Sequence, residues 1–193
     1  MPDDNLIKKV TPRGRVEYCT QDGIKHRDDG PAIIAINGSK YWYKHGKYHR
    51  LDGPAVDLAC GKQIWYKDGK FHREDGPAWI EPDGTIKYYV NNKFHRIDGP
   101  AAIYSAGKEV WYLRGKYHRI GGPAMIYPDG RQEWYRHGKL HRDDGPAVEC
   151  PGKPYRWFWH GKMLTKEEYW KKVKKGPNAA KVMAYILGSK QTD

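Results

Sequence analysis

The chain has 193 residues, 35 of them Lys or Arg and 23 Asp or Glu, giving a formal net charge of +12 with only 38% hydrophobic residues. That length fits one domain, or one domain plus an appendage. The 15 tyrosines and 8 tryptophans exclude simple disorder, and no apolar run approaches the roughly 20 residues of a membrane-spanning helix. Three isolated cysteines are too few for a disulfide framework and favour a reducing, cytoplasmic setting.

The chain opens on MPDDNLIKKV, which has no apolar stretch of the kind a signal peptide uses. Within residues 1–22, Arg15-Val16-Glu17-Tyr18 alternates as a strand does, so this segment is read as an N-terminal capping strand paired with the first of the units that begin at residue 23.

From residue 23 the chain repeats itself. The motif His-Arg-x-Asp-Gly-Pro-Ala begins at His26, His49, His72, His95, His118 and His141, always 23 residues apart, and Gly121 replaces its Asp in the fifth copy. An aromatic pair keeps the same period (Trp42-Tyr43, Trp65-Tyr66, Tyr88-Tyr89, Trp111-Tyr112, Trp134-Tyr135, Trp157-Phe158). So do a Gly-Lys step from Gly46 to Gly161, with Asn92 once in place of Gly, and a glycine from Gly38 to Gly130. Taking Gly61–Asp83 as one unit, residues 62–67 are rich in β-formers and Asp68-Gly69 is a hairpin turn signal. Residues 70–73 return as a second strand. Asp75-Gly76-Pro77 breaks the pairing, because Pro lacks a donor, and Ala78 to Glu81 is a short strand.

No segment of the unit is long enough for an ordinary helix. A lone hairpin is marginal in water, so neighbouring units must cover one another. The expected body over 23–163 is an all-β repeat array of elongated, stacked β-hairpins, one twisted hairpin per unit. The rows Trp42/Trp65/Tyr88/Trp111/Trp134/Trp157 and Tyr48/Phe71/Phe94/Tyr117/Leu140 would become ladders that replace an aliphatic core.

The unit WYxxGKxHRxDGPAxxxxDGxxx resembles the MORN repeat in its period, its aromatic-then-Gly-Lys step, its Gly-rich middle and its late Asp-Gly turn, over roughly residues 16–163. It departs from that pattern in carrying His-Arg-x-Asp-Gly-Pro-Ala where a plain His-Gly-x-Gly stretch belongs. The resemblance implies a MORN-like solenoid that binds proteins or lipids, and no reaction. The HRxDGPA form is similar to arrays in proteins of large phages, giant viruses and bacteria. That similarity implies a phage-type protein acting on a host factor, in the host cytoplasm if viral.

The repeat fails at the C-terminal end, where Leu164 replaces the expected His. Thr165-Lys166-Glu167-Glu168 reads as a capping box, with Leu164 and Tyr169 at the hydrophobic-staple positions. Lys171, Lys172, Lys174 and Lys175 suit a helix C-terminus, Gly176-Pro177 stops it, and a second short helix is expected at about 179–187. Residues 164–193 are therefore read as a small α-helical cap, the alternative being a basic amphipathic segment that docks a membrane or a partner.

No catalytic residue stands out, because six near-identical units advertise no unique site; an enzyme, a cofactor and a metal are not expected. His45/His49 and His137/His141 are four apart, but a Gly-Lys turn separates each pair. The six His-Arg pairs first serve their own turns, with His and Arg bonding the motif Asp and nearby carbonyls. Read functionally, they are a row of guanidinium groups suited to carboxylates or phosphates. Arg119 lacks the Asp partner and is the first choice for an anion, with His118, Trp111, Tyr112 and Arg114 of its unit and Arg50, Arg73 and Arg96 of the others as further candidates. The expected function is a non-catalytic module that uses a basic, aromatic-rich surface to bind an acidic protein partner or to self-associate. The alternatives are a binder of phosphate-bearing ligands (nucleic acid, a sequestered signalling nucleotide or an anionic lipid) and a structural spacer.

Overall fold

A computed structural model describes residues 6–173. The chain divides into two compact units: the described residues up to Arg96 together with Ala101–Ser105, and Ile97–Pro100 together with the described residues from Ala106 on. Both are built from the same tandem β-hairpins, and the one described helix is Lys166–Val173. No described helix is long and apolar enough to cross a membrane. The second helix expected at about 179–187 and the Gly176-Pro177 stop lie outside the described residues.

Each repeat holds two hairpins rather than the single one expected. The strand predicted over 62–67 divides at Trp65. Gln63–Ile64 joins the large antiparallel sheet beside Val56–Asp57 and Trp79–Ile80, while Tyr66–Lys67 pairs with Lys70–Phe71 in a sheet of its own. The division is fixed by the Trp65 backbone. Its N–H donates to the Ala78 carbonyl at 2.8 Å, and its carbonyl accepts from the His72 N–H at 3.2 Å. In the first unit the large sheet runs from Ile7–Val10 and Val16–Cys19 through successive repeats to Ala102–Ile103. Val16 and Glu17 stand opposite Ile34 and Ile33, so the N-terminal segment does pair with the first repeat. In the second unit Glu109–Val110, Met125–Ile126, Gln132–Glu133 and Val148–Glu149 are adjacent in that order.

The two hairpins of a repeat turn differently. The large-sheet hairpin closes on a β-turn with a left-handed glycine, as at Gly61 (φ 88), whose N–H donates to the Leu58 carbonyl. The small hairpin closes on two consecutive left-handed residues, as at Asp68 (φ 52) and Gly69 (φ 76), the backbone of a type I′ turn. Where Asn92 replaces the glycine it still takes φ 63, and its Oδ1 accepts the Phe71 N–H at 2.7 Å. A short amide side chain that bonds locally lowers the cost of that conformation.

The core is thin. On the inner row of the large sheet, Ile33, Val56 and Ile64 are buried in the first unit, as are Val110, Met125, Glu133 and Val148 in the second. Glu133 is tolerated there because Arg131 and the Tyr135 hydroxyl both bond its carboxylate. The motif alanines, from Ala32 to Ala147, are fully buried. Each carbonyl accepts the N–H of the first aromatic of a pair, as Ala55 does from Trp42 at 2.8 Å, and that close backbone approach leaves room for a methyl group only.

The aromatic ladder expected along Tyr48, Phe71 and Phe94 forms, interleaved with the second member of each pair. Ring centroids are 5.0 Å apart for Tyr48–Tyr66, 4.7 Å for Tyr66–Phe71 and 5.1 Å for Phe71–Tyr89. Burial in this stack raises the Tyr66 hydroxyl and pushes that of Tyr89 up to about 12. The row of first members stacks differently: from Trp42 to Trp134 each ring lies under an arginine, while Trp157 packs on Tyr169 and Trp170.

At the C-terminal end, Thr165 Oγ1 accepts the Glu168 N–H at 3.2 Å and Glu168 Oε2 accepts the Thr165 N–H at 2.9 Å, the predicted capping box. Tyr169 and Val173 of the helix bury themselves with Trp157 and Leu164 of the last hairpin.

Candidate binding cleft at Arg119

The HRxDGPA loop is organised by its arginine. The guanidinium lies over an aromatic ring, Arg27 over Tyr18 of the N-terminal segment, and Arg50 over Trp42, Arg73 over Trp65, Arg96 over Tyr88, Arg119 over Trp111 and Arg142 over Trp134 of their own repeats, at 3.8–4.3 Å from the ring centroid. Nε–H of Arg27, Arg50, Arg73 and Arg142 donates to the motif Asp at 2.7–2.9 Å, and Nη1–H donates to the motif Pro carbonyl at 3.3–3.5 Å. The motif glycine makes room for this. A Cβ on Gly53 would stand 2.7 Å from Arg50 Cζ, and one on Gly76 would stand 2.8 Å from Arg73 Cζ. The Arg hydrogen bond is the main reason that Asp29, Asp52 and Asp75 are held below the usual carboxylate range. Aromatic, Arg, Asp, Gly and Pro thus form one self-contained device.

The histidine does something else. Its expected bonds lie within its own turn; instead Nδ1 accepts a backbone N–H from the type I′ turn of the following repeat. The pairs are His26 with His45, His118 with His137 and His141 with His160, at 3.0–3.2 Å; at His49 and His72 the nearer partner of Nδ1 is the side-chain oxygen of the same turn, Asp68 at 2.8 Å and Asn91 at 3.1 Å. Three of those turns place a second imidazole against the first, with centroids 4.1–4.5 Å apart. Nε2 faces the motif's variable position where that is acidic, at Asp28, Glu74 and Asp143. Burial lowers the pKa of His118 and of His141, because an imidazole taken out of water resists charging.

Clefts open between consecutive loops. The one between the Arg27 and Arg50 loops sets Arg27, Lys44 and Arg50 against Asp28, Asp29 and Asp52 over the Trp42 ring. The next sets Arg50, Lys67 and Arg73 against Asp52, Glu74 and Asp75 over Trp65. Three cations meet three carboxylates in each. The cleft between the Arg119 and Arg142 loops, about 430 Å³ over Trp134, is lined by Arg119, Arg136 and Arg142 with Asp143 and Asp144, and Arg142 Nη1 also holds Glu149 at 2.5 Å. Asp144 is taken by Arg142, and Asp143 by Arg136 and His141. Arg119 keeps its Pro123 carbonyl at 3.1 Å and its ring at 3.8 Å, but its Nε–H has no carboxylate among the described residues. Gly121, in the place of the Asp, takes φ 76, and a Cβ there would meet nothing within 4 Å.

Among the residues singled out from the sequence, Arg119 lines this cleft, His118 precedes it in the loop without lining the cleft, and Trp111 carries the Arg119 guanidinium. Tyr112 packs on Tyr117 in the ladder at 4.7 Å, and Arg114 is the left-handed first residue of a type I′ turn; neither lines the cleft. Arg50, Arg73 and Arg96 each cap the ring of their own repeat. Sequence reasoning missed the motif's variable position. Besides the acidic residues it holds Leu51, Ile97 and Ile120, exposed by 75%, 87% and 78%. The signal was present as a position that holds only acids or large aliphatics (Asp28, Leu51, Glu74, Ile97, Ile120 and Asp143) inside a nearly fixed motif.

No family model matches the chain, and a search of the curated proteins finds none similar to it.

Proposed function

We propose that this protein is a non-catalytic interaction module that binds an acidic protein partner through the rim of its HRxDGPA loops. The observation that carries this reading is the exposure of Ile97 and Ile120 at the same position of successive loops in one compact unit. Large aliphatic side chains left in water at a repeated position gain little burial within the described residues and are available to an apolar side chain of a partner. The net charge of +12 makes an acidic partner the complementary one. The resemblance of the repeat to MORN units, whose arrays bind proteins or lipids, agrees with this reading.

The arginine row gives less support to a phosphate stripe than its spacing suggested. Arg27, Arg50, Arg73 and Arg142 each already hold a carboxylate and a carbonyl of their own loop, so a phosphate would have to displace them.

The test is selection of random peptides against the immobilised protein, together with identification of anything released when protein purified at low salt is denatured. Enriched peptides should pair Asp or Glu with an aliphatic residue, and an Ile97→Ser/Ile120→Ser variant should lose them. No enrichment, or enrichment indifferent to that variant, refutes the reading. Released nucleotide, nucleic acid or lipid would transfer support to the alternatives.

A further inference from the structure

We infer that the cleft at Arg119 is a carboxylate site, which takes the side chain of an Asp or Glu that stands beside an aliphatic residue in the partner. The inference rests on the protein-binding reading for the source of the carboxylate, but its geometry is independent of it. Four sister loops show what the guanidinium holds when the motif is intact: an Asp carboxylate on Nε at 2.7–2.9 Å. In the fifth loop the cation is still locked in the same pose, by the Trp111 ring beneath it and the Pro123 carbonyl on Nη1, while the acid is gone. The site is preorganised and lacks only its anion, which lowers the ordering cost of binding. Gly121 leaves the approach open.

The charge balance selects the anion. Arg142 holds Asp144 and Glu149, and Arg136 holds Asp143, so Arg119 is the cation of the cleft that no described carboxylate answers, and a single negative charge matches it. A phosphate dianion would bring its second charge up to Asp143 and Asp144. Beside the site, Ile120 offers an exposed aliphatic surface that a neighbouring apolar side chain of the ligand would cover.

The experiment follows the arginine Nε–H signals of the labelled full chain by nuclear magnetic resonance during titration with acetate, with acetyl-Asp-Leu-amide and with inorganic phosphate. The Arg119 signal should shift saturably with acetate, about tenfold more tightly with the dipeptide if one side chain is buried against Ile120, and less tightly with phosphate. The signals of Arg27, Arg50, Arg73 and Arg142 should stay in place. Gly121→Asp supplies the missing carboxylate from within and should abolish the response. Ile120→Asp, which leaves the left-handed glycine untouched, should weaken acetate and remove the gain from the dipeptide, so the test survives if the first variant fails to fold. An Arg119 signal that ignores acetate, that responds equally in Gly121→Asp, or that prefers phosphate overturns the inference. Acidic-peptide selection that persists in Gly121→Asp removes this site while sparing the protein-binding reading. A saturable Arg119 response without any peptide selection upholds the site and removes that reading.

Discussion

If the motif glycine exists to admit the guanidinium, then Gly76→Ala should be costly only while Arg73 is present. A Cβ on Gly76 would lie 2.8 Å from Arg73 Cζ and 3.0 Å from Nε, so the side chain must leave the Trp65 ring and the Pro77 carbonyl. The cation–π contact at a half-exposed site contributes about 1 kcal/mol, and the bond to the carbonyl at 3.4 Å about another 1 kcal/mol. Arg73→Ala should therefore destabilise by about 2 kcal/mol. Gly76→Ala forfeits the same contacts but restricts the unfolded chain, which returns about 0.5–1 kcal/mol, for a net loss near 1–1.5 kcal/mol. In the Arg73→Ala background the obstacle is absent and φ at Gly76 is not left-handed, so the same substitution should stabilise by about 0.5 kcal/mol. The double-mutant cycle then closes on a coupling of about 2 kcal/mol. Urea unfolding followed by tryptophan fluorescence, with a common m-value, measures it. An equal cost of Gly76→Ala in both backgrounds would show that the glycine serves the backbone and not the arginine.

The same geometry sets three further outcomes. His118 and His141 have pKa values lowered by burial, so the unfolded state binds the proton first, and stability should fall as pH drops below about 6.5, the unfolded value; His118→Asn and His141→Asn, whose Oδ1 replaces the Nδ1 acceptor without titrating, should flatten that dependence in thermal melts. Tyr169→Phe removes the hydroxyl that donates to the Arg142 carbonyl at 2.5 Å and accepts from the Gly145 N–H at 3.2 Å; leaving two backbone groups without it should cost about 1–3 kcal/mol, seen as faster hydrogen exchange at Gly145. Ala78→Val forces two extra methyl groups against a fully buried position and should cost about 1–3 kcal/mol in denaturant midpoint.

Periodicity made the architecture legible, because every feature that recurs every 23 residues had to serve the same local structure. The Asp68-Gly69 turn, the return strand and the Thr165–Glu168 capping box stem from local chemistry, and local chemistry is what a sequence displays. The division of the strand at Trp65 was hidden because it depends on a long-range bond to the Ala78 carbonyl. The role of the histidine was hidden for the same reason: its acceptor serves a backbone donor 19 residues away, and a backbone donor leaves no mark in the residue types. Arg119 was legible as an exception, since Gly121 interrupts an invariant position. That its neighbours Arg136 and Arg142 are both answered was not, because it needs their partners Asp143, Asp144 and Glu149 to be known.

The histidine contact also gives the repeat a direction. Loops such as those of His26, His118 and His141 offer an acceptor that the next turn along the chain satisfies, so a string of these repeats resembles a polymer with one unfinished end. The last described motif histidine, His141, is served by His160 in a hairpin that has no HRxDGPA loop of its own. The loop of Arg142, in turn, is closed by the Tyr169 hydroxyl. Among the described residues, 157–173 therefore act as a terminator built to the surface of one ordinary repeat. Duplication or loss of a 23-residue block would present that terminator with the same surface, so the number of repeats is free to drift between descendants of this protein while the ending is not.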